Sequence, residues 1–230
     1  MCFPVMKVRF FDILLSSGLL FGLSFGPQSI GGTSTALTLL HTSNKTSKSK
    51  VIVAAIVVVV AMIALLRFEG RSFICSCGRF AIWVGDWCSS NTSQQLLDPY
   101  SLTHILHGFL FFWLMLLLFR RVNGACQFWL AILLESAWEV FENTSFVINK
   151  YRTETAALGY QGDTIVNSLG DLGCALVGFL IARRLGLGRS LIVFVLVELV
   201  LTFWIHDSLL LQILMLVRPV EAIKLWQVCH

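Results

Sequence analysis

The segment from Val51 to Leu66, VIVAAIVVVVAMIALL, contains no polar side chain. Apolar runs that approach the roughly 20 residues needed to cross a bilayer are typical of transmembrane segments. Because lipid offers no hydrogen-bond partners to the backbone, such a run must be helical. Only 13% of all residues are charged, whereas soluble domains carry about 25%. We therefore predict an integral membrane protein.

Further apolar runs divide the rest of the chain. Four of them approach the length of a membrane crossing: Leu102–Phe119, Ala125–Glu142, Thr164–Ala182 and Ser190–Ile205. The last run, Leu209–Val217, is only about half a membrane deep at about 1.5 Å per residue, which indicates a re-entrant or broken helix. The predicted fold is an all-α membrane protein, a bundle of five or six transmembrane helices of which the last is short or re-entrant.

The first fifty residues fit this organisation less well. Phe10–Phe25 is apolar behind Lys7 and Arg9, as in a signal peptide, and the Ser/Thr/Lys-rich stretch Thr42–Lys50 resembles a linker. We divide the chain into an N-terminal extension, residues 1–50, and a polytopic membrane domain, residues 51–230. The extension is interpreted either as an extra helix or as the product of a start codon assigned too early.

Basic residues in the short loops predict the orientation, because cytoplasmic loops are enriched in Lys and Arg. The arginines concerned are Arg120, Arg121, Arg183, Arg184 and Arg189. We expect a multi-pass protein of a bacterial inner (cell) membrane, with loops 120–124 and 183–189 in the cytoplasm. Loops 67–100 and 143–162 are then external. No basic stripe with interleaved aromatic residues is present, so the expected partners are membrane lipids and not nucleic acid.

Three cysteines, Cys75, Cys77 and Cys88, fall in the first external loop, where a disulfide is chemically allowed. Three interpretations stay open for them: structural thiols, a disulfide from Cys88 to Cys75 or Cys77, or a metal site. The spacing Cys-x-Cys differs from the Cys-x-x-Cys that is typical of zinc sites.

Polar side chains recur at helical spacing within the predicted helices. Glu135, Glu139 and Glu142 are spaced four and three residues apart, so they line one face of a helix. The same holds for Asp163, Asn167 and Asp171, and His104 and His107 lie one turn apart. With the predicted topology, these residues lie in the outer half of the membrane.

A charged side chain near the bilayer centre costs at least about 2.5–3.5 kcal/mol, so such residues usually face a bundle interior and serve a function. The candidate catalytic residues are Glu139, Glu135 and Asp171. The candidate binding residues are His104, His107, Glu142, Asn143, Arg152, Asp163 and Asn167. For Glu142, Asp163 and Asp207 the alternative is a solvated helix end, and Asp163 would then cap the helix that follows it.

Five segments between Arg71 and Gln227 carry a family resemblance: SFICSCG, YSLTHILHGFLF, ESAWEVFENTSFVINKYR, GYQGDTIVNSLGD and RPVEAIKLWQ. They resemble the uncharacterised protein family 0314, bacterial inner-membrane proteins of unknown function. A weaker similarity reaches the VanZ-like family of teicoplanin-resistance proteins. Its counterparts here are His104 and His107, Glu139 with Glu142 in place of Gln, Arg152, Asp163, Asn167 and Gly170.

Three functions fit these residues. In the first, an outer-leaflet site binds an anionic or lipid-linked envelope molecule, with Arg152 and the histidines as partners and Glu139 as acid or base. The His/Glu set also fits a divalent metal ion, although the spacing matches no named motif, so metal and cofactor both stay open. The second function is a small proton or cation transporter, and the third is a non-catalytic envelope scaffold. Whether the protein is an enzyme stays open.

The orientation yields a first prediction. In a background without the native cysteines, cysteine introduced at Asn149 should react with a membrane-impermeant thiol reagent in intact cells, because loop 143–162 is external. Cysteine at Asn123 should react only after the cells are opened. Labelling of Asn123 together with protection of Asn149 would reverse the predicted orientation.

Overall fold

The computed structural model describes residues 33–155 and 159–228. The predicted apolar segment Phe10–Phe25 lies outside them. The chain divides into two compact units, residues 1–50 and 51–230. The regular structure of the described part is helical: α1 Thr33–Phe68, α2 Ser101–Leu118, α3 Gly124–Glu142, α4 Ser145–Glu154, α5 Ile165–Trp204, α6 Leu209–Val217 and α7 Glu221–Trp226.

Three helical segments of the described chain are long and apolar enough to cross a membrane, by length and composition. They are Ser49–Phe68 in α1, Ser101–Leu118 and Ile165–Trp204. α3 is not among them, and it carries Glu135, Glu139 and Glu142. Apolar side chains on α1 point away from the protein, and Ile52 and Val60 are 60% and 59% exposed. A large exposed apolar face indicates contact with a membrane or another protein.

Helix α5 turns back on itself at Gly186, whose φ of 72° and ψ of 176° are not helical. Asp171, before the turn, accepts a hydrogen bond from Ser101, while Ile205, after it, lies in the apolar cluster against which Tyr100 packs. A straight helix would separate residues 171 and 205 by roughly 50 Å. Residues 165–185 and 187–204 are therefore two antiparallel arms.

The chain does reverse within the predicted loop 183–189, but only Gly186 departs from helical geometry there, so the connection is shorter than predicted. A positive φ suits glycine, which lacks a Cβ, and a reversal at one residue leaves the neighbouring arginines in the helix ends. The predicted linker Thr42–Lys50 is also helical, because α1 begins at Thr33. The predicted loop 143–162 contains α4. Cys75 and Cys77 form a disulfide with each other, so neither pairs with Cys88.

Helices α2 and the first arm of α5 pack with their backbones almost in contact. A Cβ on Gly108 would lie 2.0 Å from the carbonyl oxygen of Ala175, and a Cβ on Gly178 would lie 2.0 Å from that of Ile105. Small residues allow this close approach between helices. Because Ser101 lies two turns from Gly108 on α2, the contact also brings the start of α2 to Asp171.

The segment between α1 and α2 covers the start of α5. The carbonyls of Ser72 and Phe73 accept hydrogen bonds from the N–H groups of Ile165 and Val166 at 2.9 and 3.1 Å. The first N–H groups of a helix have no partner within it, so this segment satisfies them. Thr164 completes the helix start, because its hydroxyl accepts from the N–H of Asn167 at 3.2 Å.

We expect Gly108→Ala and Gly178→Ala to lower the free energy of unfolding by about 1–3 kcal/mol each, as overpacked substitutions do. Gly173→Ala is the matched control, because no atom lies within 4 Å of the Cβ it would add. It should raise stability, since alanine is favoured over glycine in a helix by about 0.5–1 kcal/mol. Thermal unfolding in mild detergent measures all three, and equal effects would contradict the close-packing interpretation.

Candidate functional site

The two histidines of α2 meet one glutamate of α3. The Nδ1 of His104 lies 2.6 Å from the Oε1 of Glu135, and the Nδ1 of His107 lies 3.1 Å from its Oε2. A carboxylate only accepts hydrogen bonds, so each imidazole donates through Nδ1–H. In the neutral form of each ring, the Nε2 atom is then left as an acceptor or metal ligand.

Glu139 lies one turn further along α3 and is fully buried. Its Oε1 is 3.3 Å from the Nδ1 of His104. That nitrogen carries one hydrogen, which it already donates in the hydrogen bond to Glu135. Among the described residues neither carboxylate oxygen of Glu139 has a hydrogen-bond partner. A buried polar group without a partner is costly, which makes Glu139 the least satisfied group of the site.

Asp171 approaches the same imidazole from α5. Its Oδ2 lies 3.9 Å from the Nε2 of His104, while its Oδ1 accepts a hydrogen bond from the hydroxyl of Ser101 at 2.6 Å. Three helices thus bring His104, Glu139 and Asp171 together. Each residue has one atom able to bind a metal ion, and these three atoms lie within 4.8 Å of one another.

Asn143 and Asp163 join the end of α3 to the start of α5. The Nδ2 of Asn143 donates to Asp163 Oδ2 at 2.8 Å, and the backbone N–H of Asp163 donates to Asn143 Oδ1 at 2.7 Å. The Tyr160 hydroxyl donates to Asp163 Oδ1 at 3.0 Å. Burial raises the pKa of Asp163, and the hydrogen bonds from Asn143 and Tyr160 act in the opposite direction. The alternative of a solvated helix end is therefore wrong for Asp163, and Thr164 caps α5 instead.

A cavity of about 640 Å³ lies above this cluster. Its lining includes His104, His107 and five carboxyl groups, those of Asp98, Glu142, Asp163, Asp171 and Asp207. Five residues with large aromatic rings also line the cavity: Trp87, Tyr100, Trp138, Tyr151 and Tyr160. No lysine or arginine of the described chain lines the cavity.

Most of the predicted site residues therefore meet around the cavity or directly beneath it. Arg152 does not: it is exposed on α4, and its Nε donates to the carbonyl of Tyr160. Asn167 is buried in α5, and its Nδ2 has no hydrogen-bond partner in the described structure. Neither residue lines the cavity.

Sequence reasoning missed Ser101, Asp98 and Tyr160. Ser101 precedes His104 by three residues, so helical spacing alone placed it on the same face. Asp98 lies before α2, is buried, and accepts hydrogen bonds from the N–H groups of Ser93 and Tyr100 at 2.7 and 2.8 Å. No helical pattern marks it, because its role depends on a turn.

Glu198 was also missed, and its role is structural. It is buried in the second arm of α5, and its two oxygens accept from the N–H groups of Leu209 and Leu210 at 3.1 and 3.2 Å. These N–H groups begin α6, where no partner exists within the helix. Glu198 thus fixes the short helix that follows Asp207.

Residues 66–229 match a family described as "Protein of unknown function (DUF2585)". A UPF0314 protein of Rhizobium etli is 43% identical over 175 residues, which cover 76% of this chain and 90% of that protein. The chain belongs to the UPF0314 family. A UPF0314 protein of Rhizobium meliloti is 42% identical over 176 residues, 76% of this chain and 89% of the relative. One from Paracoccus denitrificans is 37% identical over 174 residues, 76% and 90% respectively.

Membership of the UPF0314 family confirms the resemblance carried by the five quoted segments. No solved structure matches the chain. The weaker similarity to VanZ-like proteins stays a prediction. The UPF0314 name states no activity.

The pH dependence of stability gives a test of the cavity rim. Burial raises the pKa of Asp207 from an ordinary value of 3.8 to about 7. The folded state then binds more protons than the unfolded state in this window, so ionisation of Asp207 lowers stability progressively as the pH rises from about 4 to about 7. Asn at this position does not titrate but keeps an amide oxygen for the hydrogen bonds that Ser208 and Gln227 donate.

We therefore expect wild-type stability to fall relative to Asp207→Asn as the pH rises from about 4 to about 8. Thermal unfolding in mild detergent at several pH values measures the difference. A difference that stays constant over this range would contradict a buried, titrating carboxyl group.

Proposed function

We propose that this chain is a multi-pass protein of a bacterial inner membrane whose polar cavity binds a lipid or lipid-linked envelope molecule through a cationic group. The observation that carries the proposal is the chemistry of the cavity lining: five carboxyl groups and five aromatic rings, without a lysine or arginine among the described residues.

The proposed membrane arrangement has five crossing segments, which are α1, α2, α3 and the two arms of α5. α6 is the sixth, re-entrant segment. α3 crosses although its glutamates lower its hydropathy, because Glu135 and Glu139 face the interior and are fully buried. From Leu191 to Trp204 in the second arm of α5 the exposed side chains are apolar, and Ile192 is 63% exposed, as lipid contact requires.

The contact between Arg183 and Gly124 supports the proposed orientation. The Nη1 of Arg183 donates to the carbonyl of Gly124 at 3.4 Å, so the two arginine-rich segments lie at one end of the bundle. Cytoplasmic ends are enriched in Lys and Arg. The cavity, near the start of α2 and the end of the second arm, then lies toward the external side.

The charge of the cavity argues for a cation over an anion. Carboxylates attract an ammonium group, and Trp, Tyr and Phe faces attract cations with about 0.5–2 kcal/mol. The anionic ligand expected from the sequence had Arg152 and the histidines as partners, and of these only the histidines line the cavity. A phosphate of the ligand would need a metal ion to offset the surrounding carboxylates.

The proposed ligand site is better supported than a proton or cation transporter. A relay needs polar groups that continue toward the opposite face. Beyond His107, α2 and α5 instead contribute the buried side chains Phe109, Phe112, Met115 and Phe179. The Phe112 and Phe179 rings pack at 6.2 Å, and this apolar layer interrupts any path.

Binding of two lipids to the purified protein tests the proposal. Phosphatidylethanolamine and phosphatidylglycerol share a phosphodiester, but only the first has an ammonium group. We expect native mass spectrometry in mild detergent to show retention of phosphatidylethanolamine about tenfold above phosphatidylglycerol, since a charged hydrogen bond contributes about 1.5–3 kcal/mol.

Glu142→Gln should reduce this preference, because Glu142 lines the cavity and its Oε2 has no hydrogen bond. Glu221→Gln is the matched control, as Glu221 is exposed on α7 and does not line the cavity. Equal retention of the two lipids, or an unchanged preference in Glu142→Gln, would refute the proposal.

A further inference from the structure

The cluster beneath the cavity buries more negative groups than it can neutralise. Glu135, Glu139 and Asp171 are 0%, 0% and 4% exposed, and no described lysine or arginine forms an ion pair with them. The two neighbouring imidazoles both donate to Glu135. Buried charges in proteins are paired or coordinate metals. Among the described residues, the one ion-pair partner within 4 Å of the remaining oxygens of Glu139 and Asp171 is the imidazole of His104, at 3.3 and 3.9 Å, and its Nδ1 is already hydrogen-bonded to Glu135.

Glu139 Oε1 approaches the His104 ring at Nδ1, 3.3 Å away, and three residues around this ring offer atoms that make no hydrogen bond to another described residue. These are the Nε2 of His104, the Oδ2 of Asp171 and the carboxylate of Glu139. Atoms bound to one Zn²⁺ at about 2.0–2.2 Å can lie up to about 4.4 Å apart. The separation of His104 Nε2 from Asp171 Oδ2 is 3.9 Å, and a donor atom of each residue lies within 4.8 Å of the others.

The other atoms of these residues are already held in place. The Nδ1–H of His104 is bound by Glu135 at 2.6 Å, and the Oδ1 of Asp171 by Ser101 at 2.6 Å. Histidine ligands of metals usually donate their second N–H to a carboxylate, which fixes the tautomer and the ring. The hydrogen bonds thus leave free those atoms that a metal would bind.

From this geometry we infer a binding site for one divalent transition-metal ion, with His104, Glu139 and Asp171 as ligands. Glu135 and Ser101 are positioning residues. One imidazole and two carboxylates suit Zn²⁺ or Mn²⁺, because imidazole disfavours Mg²⁺ and Ca²⁺ and the absence of thiolates from the set disfavours softer ions. Water or a cavity ligand would supply the remaining ligands, because His104 and Asp171 also line the cavity.

The inference deepens the proposed function, since the ion lies at the floor of the proposed lipid cavity. Its test therefore uses no lipid. The full chain, purified in mild detergent and treated with a chelator, is titrated with Zn²⁺ and in parallel with Mn²⁺. Calorimetry measures affinity, and elemental analysis after desalting measures stoichiometry. We expect one ion per chain.

Variants then locate the ion. Glu139→Gln and Asp171→Asn should each weaken binding by more than about 100-fold, beyond the 10–100-fold that is typical of outer-shell partners. Ser101→Ala should fall within about 10–100-fold, and Glu221→Gln should bind as the wild type does. No stoichiometric binding by the wild type, or unchanged affinity in Glu139→Gln and Asp171→Asn, would overturn the inference.

Thermal unfolding separates a lost ligand from a lost fold. Zn²⁺ should raise the Tm of the wild type, because a ligand that binds only the folded state stabilises it, and should leave the Tm of Glu139→Gln unchanged. Without metal, Glu139→Gln should unfold at or above the wild-type temperature, since it removes a buried charge. A lower Tm in the metal-free variant would assign Glu139 a structural role and overturn the inference.

The two tests fail separately. If the protein binds the ion but does not discriminate between the lipids, only the proposed function falls. If it retains phosphatidylethanolamine but binds no ion, only the metal site falls.

Discussion

The contact between Gly108 of α2 and Gly178 of α5 sets the distance on which the rest of the site depends. A single Cβ at either position would meet a carbonyl oxygen of the other helix at 2.0 Å. Because the backbones approach so closely, short side chains suffice to bridge the helices, as the 2.6 Å hydrogen bond from Ser101 to Asp171 shows. Larger residues would separate the helices by a few ångströms, and hydrogen bonds do not survive such a change.

The same closeness places like charges together, and their arrangement limits what the site can do. Glu135 accepts hydrogen bonds from both histidines, so these rings cannot also serve Glu139. The cost of a buried carboxylate without a partner is large unless it is protonated or meets a cation. The proposed metal ion at the base of the cavity would offset part of this negative charge. The cationic group of a ligand would offset the charge of the carboxylates that line the cavity.

Much of this was predictable from residue types and their spacing. The apolar runs marked α2, α3, α6 and both arms of α5 to within a few residues, because long apolar runs separated by turn-forming or charged residues favour separate helices. Spacings of three and four residues placed the three glutamates of α3 on one face, and the structure buries Glu135 and Glu139 there. The five quoted segments were sufficient for the family.

Local sequence did not contain the contacts between helices. The reversal at Gly186 and the approach of Gly108 to Gly178 depend on how two helices pack. A single glycine in an apolar run does not by itself indicate a reversal or a close helix contact. The exclusion of Arg152 from the cavity follows from the course of α4, which the loop prediction omitted. Residue identity and helical period thus determined the membrane-type helices and their polar faces. Only the tertiary structure decided that both histidines bond to Glu135 and that Glu139 has no hydrogen-bond partner, because these contacts are between residues far apart in the chain.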